Sequence, residues 1–212
     1  GDCSAGYYCP AGSTIPTQVA ADKGYYTAAG ASTQLECPTG KYNPSPAQSS
    51  CLTCLAGYYC DVTGLSDNIK DCTTGHYCLA GSINPTKCPI GTYNTKTNRQ
   101  TLADCVACKP GMYCSTEGLV NPTGTCSAGY YCKTGSTLQE PQTAEVTGKY
   151  GPCPVGHYCP SGTAEPIKCP PGTFLATTKN TQLSDCTACT AGKYCAASGL
   201  SAISGDCTAG VY

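Results

Sequence analysis

The sequence predicts a small disulfide-rich fold: tandem cysteine-rich modules of short β-hairpins and turns, strung into an elongated rod with little or no helix. Three observations carry this. The motif C-x-x-G-x-Tyr recurs eleven times, starting at Cys3, Cys37, Cys54, Cys72, Cys88, Cys108, Cys126, Cys153, Cys169, Cys189 and Cys207, with Phe174 replacing the tyrosine once. The other ten of the 21 cysteines fall singly between these starts, so motif and partner cysteines alternate along all 212 residues. The large apolar residues number only 11 Leu, 7 Val, 6 Ile, one Met and one Phe, with no Trp, too few for one sizeable core.

A chain this poor in apolar residues stays disordered unless something other than burial offsets the entropy of ordering it. Disulfides supply that. Closing a loop of about 15 residues is worth roughly 3 kcal/mol in the chain-entropy account. One cysteine in ten residues is also the density of chains matured in an oxidising compartment. The expected location is therefore extracellular or on a cell surface. The net charge of −1 and the 12% of charged residues show no basic patch for nucleic acid and no acidic tract. No apolar run approaches a membrane span in this segment.

Each repeat can be justified in order. Cys72–Cys114 and Cys153–Cys195 have identical cysteine spacing at an offset of 81 residues, and Cys37–Cys60 is a copy with a shorter middle. Two motif forms alternate. The tight form, C-x-x-G-x-Y-C, closes within seven residues. The long form, C-P-x-G-[KT]-[YF], reaches a C-x-x-C after 13 or 16 intervening residues. The expected organisation is a partial module with a cysteine-free insert at 1–36, a first full repeat at 37–87, a second with an insert at 88–152, and a third at 153–212. The inserts Ala11–Glu36 and Lys133–Pro152 each keep a Gly-x-Tyr, Gly24-Tyr25-Tyr26 and Gly148-Lys149-Tyr150. They read as spacers or as hairpins that lost their cross-link. GDCSAGYY at Gly1–Tyr8 matches GDCTAGVY at Gly205–Tyr212, so the chain reads as a window on a longer tandem array.

Gly and Pro punctuate the chain every few residues, and no window holds a 3.6-residue apolar period. Strands of two to four residues around each tyrosine are expected. The motif glycine should supply a positive φ or a close backbone approach, and the tyrosine should roof the nearest disulfide with its hydroxyl in water.

The run Cys169–Cys195, CPPGTFLATTKNTQLSDC-TAC-TAGKYC, resembles the ephrin-receptor-like cysteine-rich repeat, a relative of growth-factor-receptor and TNF-receptor modules and an EGF-like scaffold in the broad sense. The resemblance extends over nearly the whole chain. The surplus tight motifs and the two inserts depart from a compact receptor ectodomain and resemble the long surface proteins of protists or algae. The resemblance implies that the long loops close on themselves as Cys37–Cys51, Cys88–Cys105 and Cys169–Cys186. For the rest two schemes fit. Neighbours pair, as Cys54–Cys60 and Cys72–Cys78, or pairs interleave, as Cys54–Cys72 with Cys60–Cys78 and Cys108–Cys126 with Cys114–Cys132. The interleaved scheme is favoured, with Cys153–Cys159 as a local pair. Cys189 and Cys207 are included among the structural cysteines.

Other chemistries fit poorly. The C-x-x-C pairs Cys51/Cys54, Cys105/Cys108 and Cys186/Cys189 lack the βαβ frame of a redox site, and oxidised cysteines cannot ligate zinc. His76 and His157 occupy the variable position of G-x-Y and have no nucleophile partner in view. Asp61, Asp67 and Asp71 do not make a calcium loop, and the acidic residues read as solvated loop carboxylates. Proline after Asn43, Asn84 and Asn121 bars N-glycosylation, whereas the Ser/Thr-rich, charge-poor surface suits O-linked glycans. No enzyme, cofactor, metal or nucleic-acid partner is expected. The expected role is a structural extracellular repeat protein, a self-associating building block of a surface filament, appendage, coat or matrix. The alternative is a receptor ectodomain or adhesion module that binds a protein ligand through one of the inserts.

Overall fold

The computed structural model describes residues 1–67, 69–143 and 148–208. Its regular structure is a succession of two-stranded antiparallel hairpins, eleven among the described residues, and two 3₁₀ turns at Leu102–Asp104 and Leu183–Asp185. The first strand of each hairpin starts just after the motif glycine. The second ends just before the next motif begins. Thus Tyr7–Tyr8 pairs with Val19–Ala20, Tyr58–Tyr59 with Lys70–Asp71, and Lys193–Tyr194 with Gly205–Asp206. Strands this short cannot hold a sheet by themselves. What holds them is the backbone bonding between successive modules and the disulfides.

Two compact units emerge. The first comprises Gly1–Cys88 with Asn94–Cys105, and the second Pro89–Tyr93 with the chain from Val106 onward. In the first unit each motif glycine donates its N–H to the carbonyl of the seventh residue of the next motif. The bonds are Gly6 to Thr27, Gly24 to Asn43, Gly40 to Cys60, Gly57 to Cys78 and Gly75 to Asn94, at 2.8–2.9 Å. The second unit repeats the pattern from Gly91 to Cys114, Gly111 to Cys132, Gly129 to Cys159, Gly156 to Leu175 and Gly172 to Cys195, at 2.7–3.0 Å. The modules are therefore not independent beads within a unit. Each satisfies backbone donors of the one before it, as buried backbone requires.

The core is made of cysteine. Cys54, Cys60, Cys72, Cys78, Cys108 and Cys114 are among the fully buried residues, while large aliphatics such as Leu35, Leu52 and Val106 are about half exposed. Small apolar clusters form around the disulfides. Leu65 joins Cys54 and Cys60, with Tyr42 packed on them, and Tyr93 joins Cys108 and Cys114, with Met112 and Leu119 alongside. Two of the motif tyrosines, Tyr42 and Tyr93, thus pack with the disulfide of the next module and not with that of their own. Where the cross-strand residue is glycine the ring fills the gap, and a β-carbon on Gly124 or Gly205 would lie 3.3 or 3.1 Å from Tyr113 or Tyr194.

The insert Ala11–Glu36 contains a full hairpin, Tyr25–Tyr26 with Leu35–Glu36, in the same register as its cross-linked neighbours. It is a module without a disulfide, the second of the two readings open from sequence. The other insert is the loop of one longer hairpin, Tyr130–Cys132 with Tyr150–Pro152. Gln142 bonds Tyr130 and Lys179 there, and Ser136 Oγ donates to the Lys133 and Lys149 carbonyls. Residues 144–147 of that insert lie outside the described residues.

Candidate functional site

The repeated feature of this chain is the half-cystine frame, and the structure assigns its partners. The long loops close as Cys37–Cys51, Cys88–Cys105 and Cys169–Cys186. The tight motifs close locally as Cys54–Cys60, Cys72–Cys78, Cys108–Cys114, Cys126–Cys132 and Cys153–Cys159. Cys3–Cys9 and Cys189–Cys195 do the same, so Cys3, Cys9 and Cys195 join the frame although the sequence reading left them out. The interleaved pairing is corrected. The chain reverses at the motif glycine and brings the two cysteines of one motif to Cα separations of 5.8–6.3 Å, within the range a disulfide spans, so no sulfur is left for the neighbouring module. Cys207 is exposed and joins no disulfide among the described residues.

Where the long form lacks a seventh-position cysteine, asparagine replaces its work. Asn43 and Asn94 are buried, and their Nδ2 groups donate to the Tyr25 and His76 carbonyls of the preceding module, both at 2.9 Å. In the third long form Leu175 fills the same place, 5% exposed.

Two of the loop carboxylates, Asp104 and Asp185, are partly exposed but bound to backbone. Asp104 accepts the N–H groups of Thr101 and Gln100, each at 2.9 Å. Asp185 accepts those of Thr181 and Gln182 at 2.8 and 3.1 Å. These backbone donors hold both carboxyls below the ordinary aspartate value and anchor the two longest disulfide-closed loops. The recurrence of L-x-D-C at the 81-residue offset was the signal for this anchor. Asp61 is also held low, by its hydrogen bond from Lys70 at 2.6 Å.

His76 and His157 play one backbone role. Each Nδ1 lies 2.9 Å from the carbonyl two residues earlier, of Thr74 and Val155, and a carbonyl can only accept, so Nδ1 carries the proton. Among the described residues no group of three or more His, Cys, Asp or Glu is placed to hold a metal ion, and no helix is long and apolar enough to cross a membrane. The hairpin surfaces carry a recurring apolar pair. Leu35, Leu52, Val106 and Ile167 stand opposite Tyr26, Tyr42, Tyr93 and Tyr158 and are 42–54% exposed.

No family model matches the chain. It is similar to curated proteins over part of its length. It is 33% identical over 117 aligned residues to white-brown complex homolog protein 30 of Arabidopsis thaliana, covering 48% of this chain and 10% of that protein. It is 29% identical over 93 residues to signal peptide, CUB and EGF-like domain-containing protein 2 of Danio rerio, covering 41% of this chain and 9% of that protein. It is 29% identical over 137 residues to ABC transporter G family member 25 of Oryza sativa subsp. japonica, covering 53% and 13%. The matched stretch is thus about a tenth of each relative's length. The likeness is that of a disulfide-bonded, cysteine-rich repeat.

Proposed function

We propose that this chain is a structural segment of an extracellular cysteine-rich repeat protein, a building block of a surface filament, appendage, coat or matrix. The observation that carries the reading is the bonding from each motif glycine to the next motif's seventh residue. It recurs at every step within each unit, so load on one module passes to the next through backbone hydrogen bonds flanked by buried disulfides. The density of disulfides supports an oxidising, extracellular setting, as does the likeness to a protein named for a signal peptide and EGF-like domains. The modules are read as the ephrin-receptor-like type, with a long loop closed on itself and followed by a tight motif. No catalytic role is assigned.

The half-exposed aliphatics of the hairpins, Leu35, Leu52, Val106 and Ile167, on a surface poor in charge, support lateral self-association, because charges are depleted at the centre of interfaces. Exposed Ser and Thr hydroxyls are the proposed carriers of O-linked glycans. Electron microscopy of the native, non-reduced protein tests the reading. Ordered filaments or sheets are the expected result. Dispersed single chains at every concentration tried overturn it in favour of a receptor or adhesion segment.

A further inference from the structure

Ala21-Asp22-Lys23-Gly24-Tyr25-Tyr26-Thr27 repeats the tight motif Cys54-Leu55-Ala56-Gly57-Tyr58-Tyr59-Cys60 with the two cysteines replaced. The backbone makes the same bonds. The Ala21 N–H donates to Gly6 O at 2.9 Å, as the Cys72 N–H does to Gly57 O, and the Thr27 carbonyl accepts from Gly6 N–H, as the Cys78 carbonyl does from Gly57. Ala21 and Thr27 are as buried as the half-cystines they replace, both at 0% exposure. Yet a methyl and a hydroxyl form no bond to each other, and the buried Thr27 Oγ1 has no hydrogen-bond partner. Opening this hairpin releases that hydroxyl to water and breaks no covalent link.

Its place in the chain adds to this. Between Cys9 and Cys37 no disulfide holds residues 10–36, the longest stretch without a cross-link among the described disulfides. The next longest, 133–152, is clamped. Its hairpin has three residue pairs in place of two, and the Lys179 ammonium sits 5.2 Å from the Tyr130 ring centre and 2.8 Å from Gln142 Oε1.

We propose that the Ala21–Thr27 hairpin is the release point of the chain, a built-in extensible element that opens before any cross-linked module. The mechanical role rests on the structural reading above; the order of opening does not. Under tension each disulfide short-circuits its own loop, whereas 10–36 pays out as one piece, to about 90 Å at the ~3.3–3.6 Å per residue of extended chain. A motif with its seven-residue loop closed should open about fifty-fold less often than this one, from the loop-closure entropy that a disulfide removes.

Native-state hydrogen exchange on the whole, non-reduced chain tests this. The amides of Ala21, Gly24 and Thr27 should exchange about fifty-fold faster than those of Cys54, Gly57 and Cys60, the loop-closure factor again. Equal protection of the two hairpins overturns the proposal. Ala21→Cys with Thr27→Cys should form an eleventh disulfide and bring exchange down to the level of the cross-linked hairpin. Two reactive thiols in the folded double variant would show that the positions are not equivalent and would also overturn it. Thr27→Val, which removes the orphan hydroxyl at similar volume, should slow opening several-fold. A chain that forms no filaments but shows this exchange pattern loses the structural reading alone. A filament-forming chain with uniform exchange loses the release point alone.

Discussion

A β-carbon added to Gly24 would lie 2.1 Å from the carbonyl oxygen of Gly64, two modules further along the chain. The same approach recurs between Gly6 and Ala47, Gly111 and Gly162, and Gly156 and Gly199. At these positions the motif glycine is therefore required twice, by its positive φ and by a neighbour's backbone, whereas Gly172 and Gly192 keep only the positive φ. Where it occurs, this contact, beyond the hydrogen bond to the adjacent module, fixes the spacing of turns two modules apart.

The two requirements can be separated by substitution. Gly12 also has a positive φ, of 88°, but nothing lies within 4 Å of the place a β-carbon would take. Gly12→Ala should cost about 1–2 kcal/mol, the price of a left-handed alanine. Gly24→Ala meets backbone that cannot swing aside, and the loss should be at least twice as large. Chemical denaturation of the two variants side by side checks this. Equal losses would show that the contact yields at little cost and that φ alone explains the recurrence of glycine at this motif position.

The hairpin phase was legible in the sequence because each Gly-x-Tyr marks both a turn and the first strand after it. The pairing of the tight cysteines was not. Neighbouring and interleaved schemes place the same residues in the same order, and only the reversal at the motif glycine, which brings Cys72 within 5.8 Å of Cys78, chooses between them. Ala21 and Thr27 were hidden for a related reason. Gly24-Tyr25-Tyr26 announced a hairpin, but small residues at the flanking positions carry no mark that they occupy a disulfide's place. Asn43 and Asn94 were noticed only as sites where proline bars a glycan, or not at all, because their bonds reach into the preceding module. Leu65 and Leu119 follow no period, since each packs on a disulfide and not on a shared core.

The Asp104 and Asp185 anchors should make the long loops sensitive to acid. The carboxyl of Asp104 is held below its ordinary value of 3.8 by the N–H groups of Thr101 and then Gln100, and that of Asp185 by Thr181 and then Gln182. A carboxyl lowered in the folded chain contributes stability that is fully present above its unfolded pKa and is lost as pH falls through the folded value. Above about pH 5 both loops should be fully anchored. Below about pH 4 the protection of the Gln100, Thr101, Thr181 and Gln182 amides should fall while that of Gly40 and Gly129 persists. Asp104→Asn should remove the pH dependence from the first loop and leave it in the second. Amide exchange followed from pH 6 downwards checks this, and a uniform loss across all six amides would place the acid-sensitive step elsewhere.

The disulfides themselves should divide into two classes of reducibility, and the division follows burial. Cys51, Cys105 and Cys186 are half-buried, so each long-loop disulfide has one member nearer to solvent than either member of the buried tight pairs. Both members of Cys54–Cys60, Cys72–Cys78, Cys108–Cys114, Cys126–Cys132 and Cys153–Cys159 are at 0% exposure. Exchange needs in-line access of the attacking thiolate to a sulfur, so the tight pairs must wait for their module to open. Limited reduction followed by alkylation and peptide mass mapping should label Cys51, Cys105 and Cys186 at least tenfold faster than the cysteines of these five pairs, a ratio of the size that local opening equilibria impose, with Cys9 and Cys189, half-buried members of the other two tight pairs, falling in the faster class. The bonds between modules, including those at Cys37, Cys88 and Cys169, are made by backbone N–H and carbonyl groups that reduction leaves in place, so a chain reduced only there should keep its hairpins. Simultaneous labelling of both classes would mean that the modules open far more often than their burial implies, and that the disulfides hold the stack together throughout and do not merely lock a stack already formed.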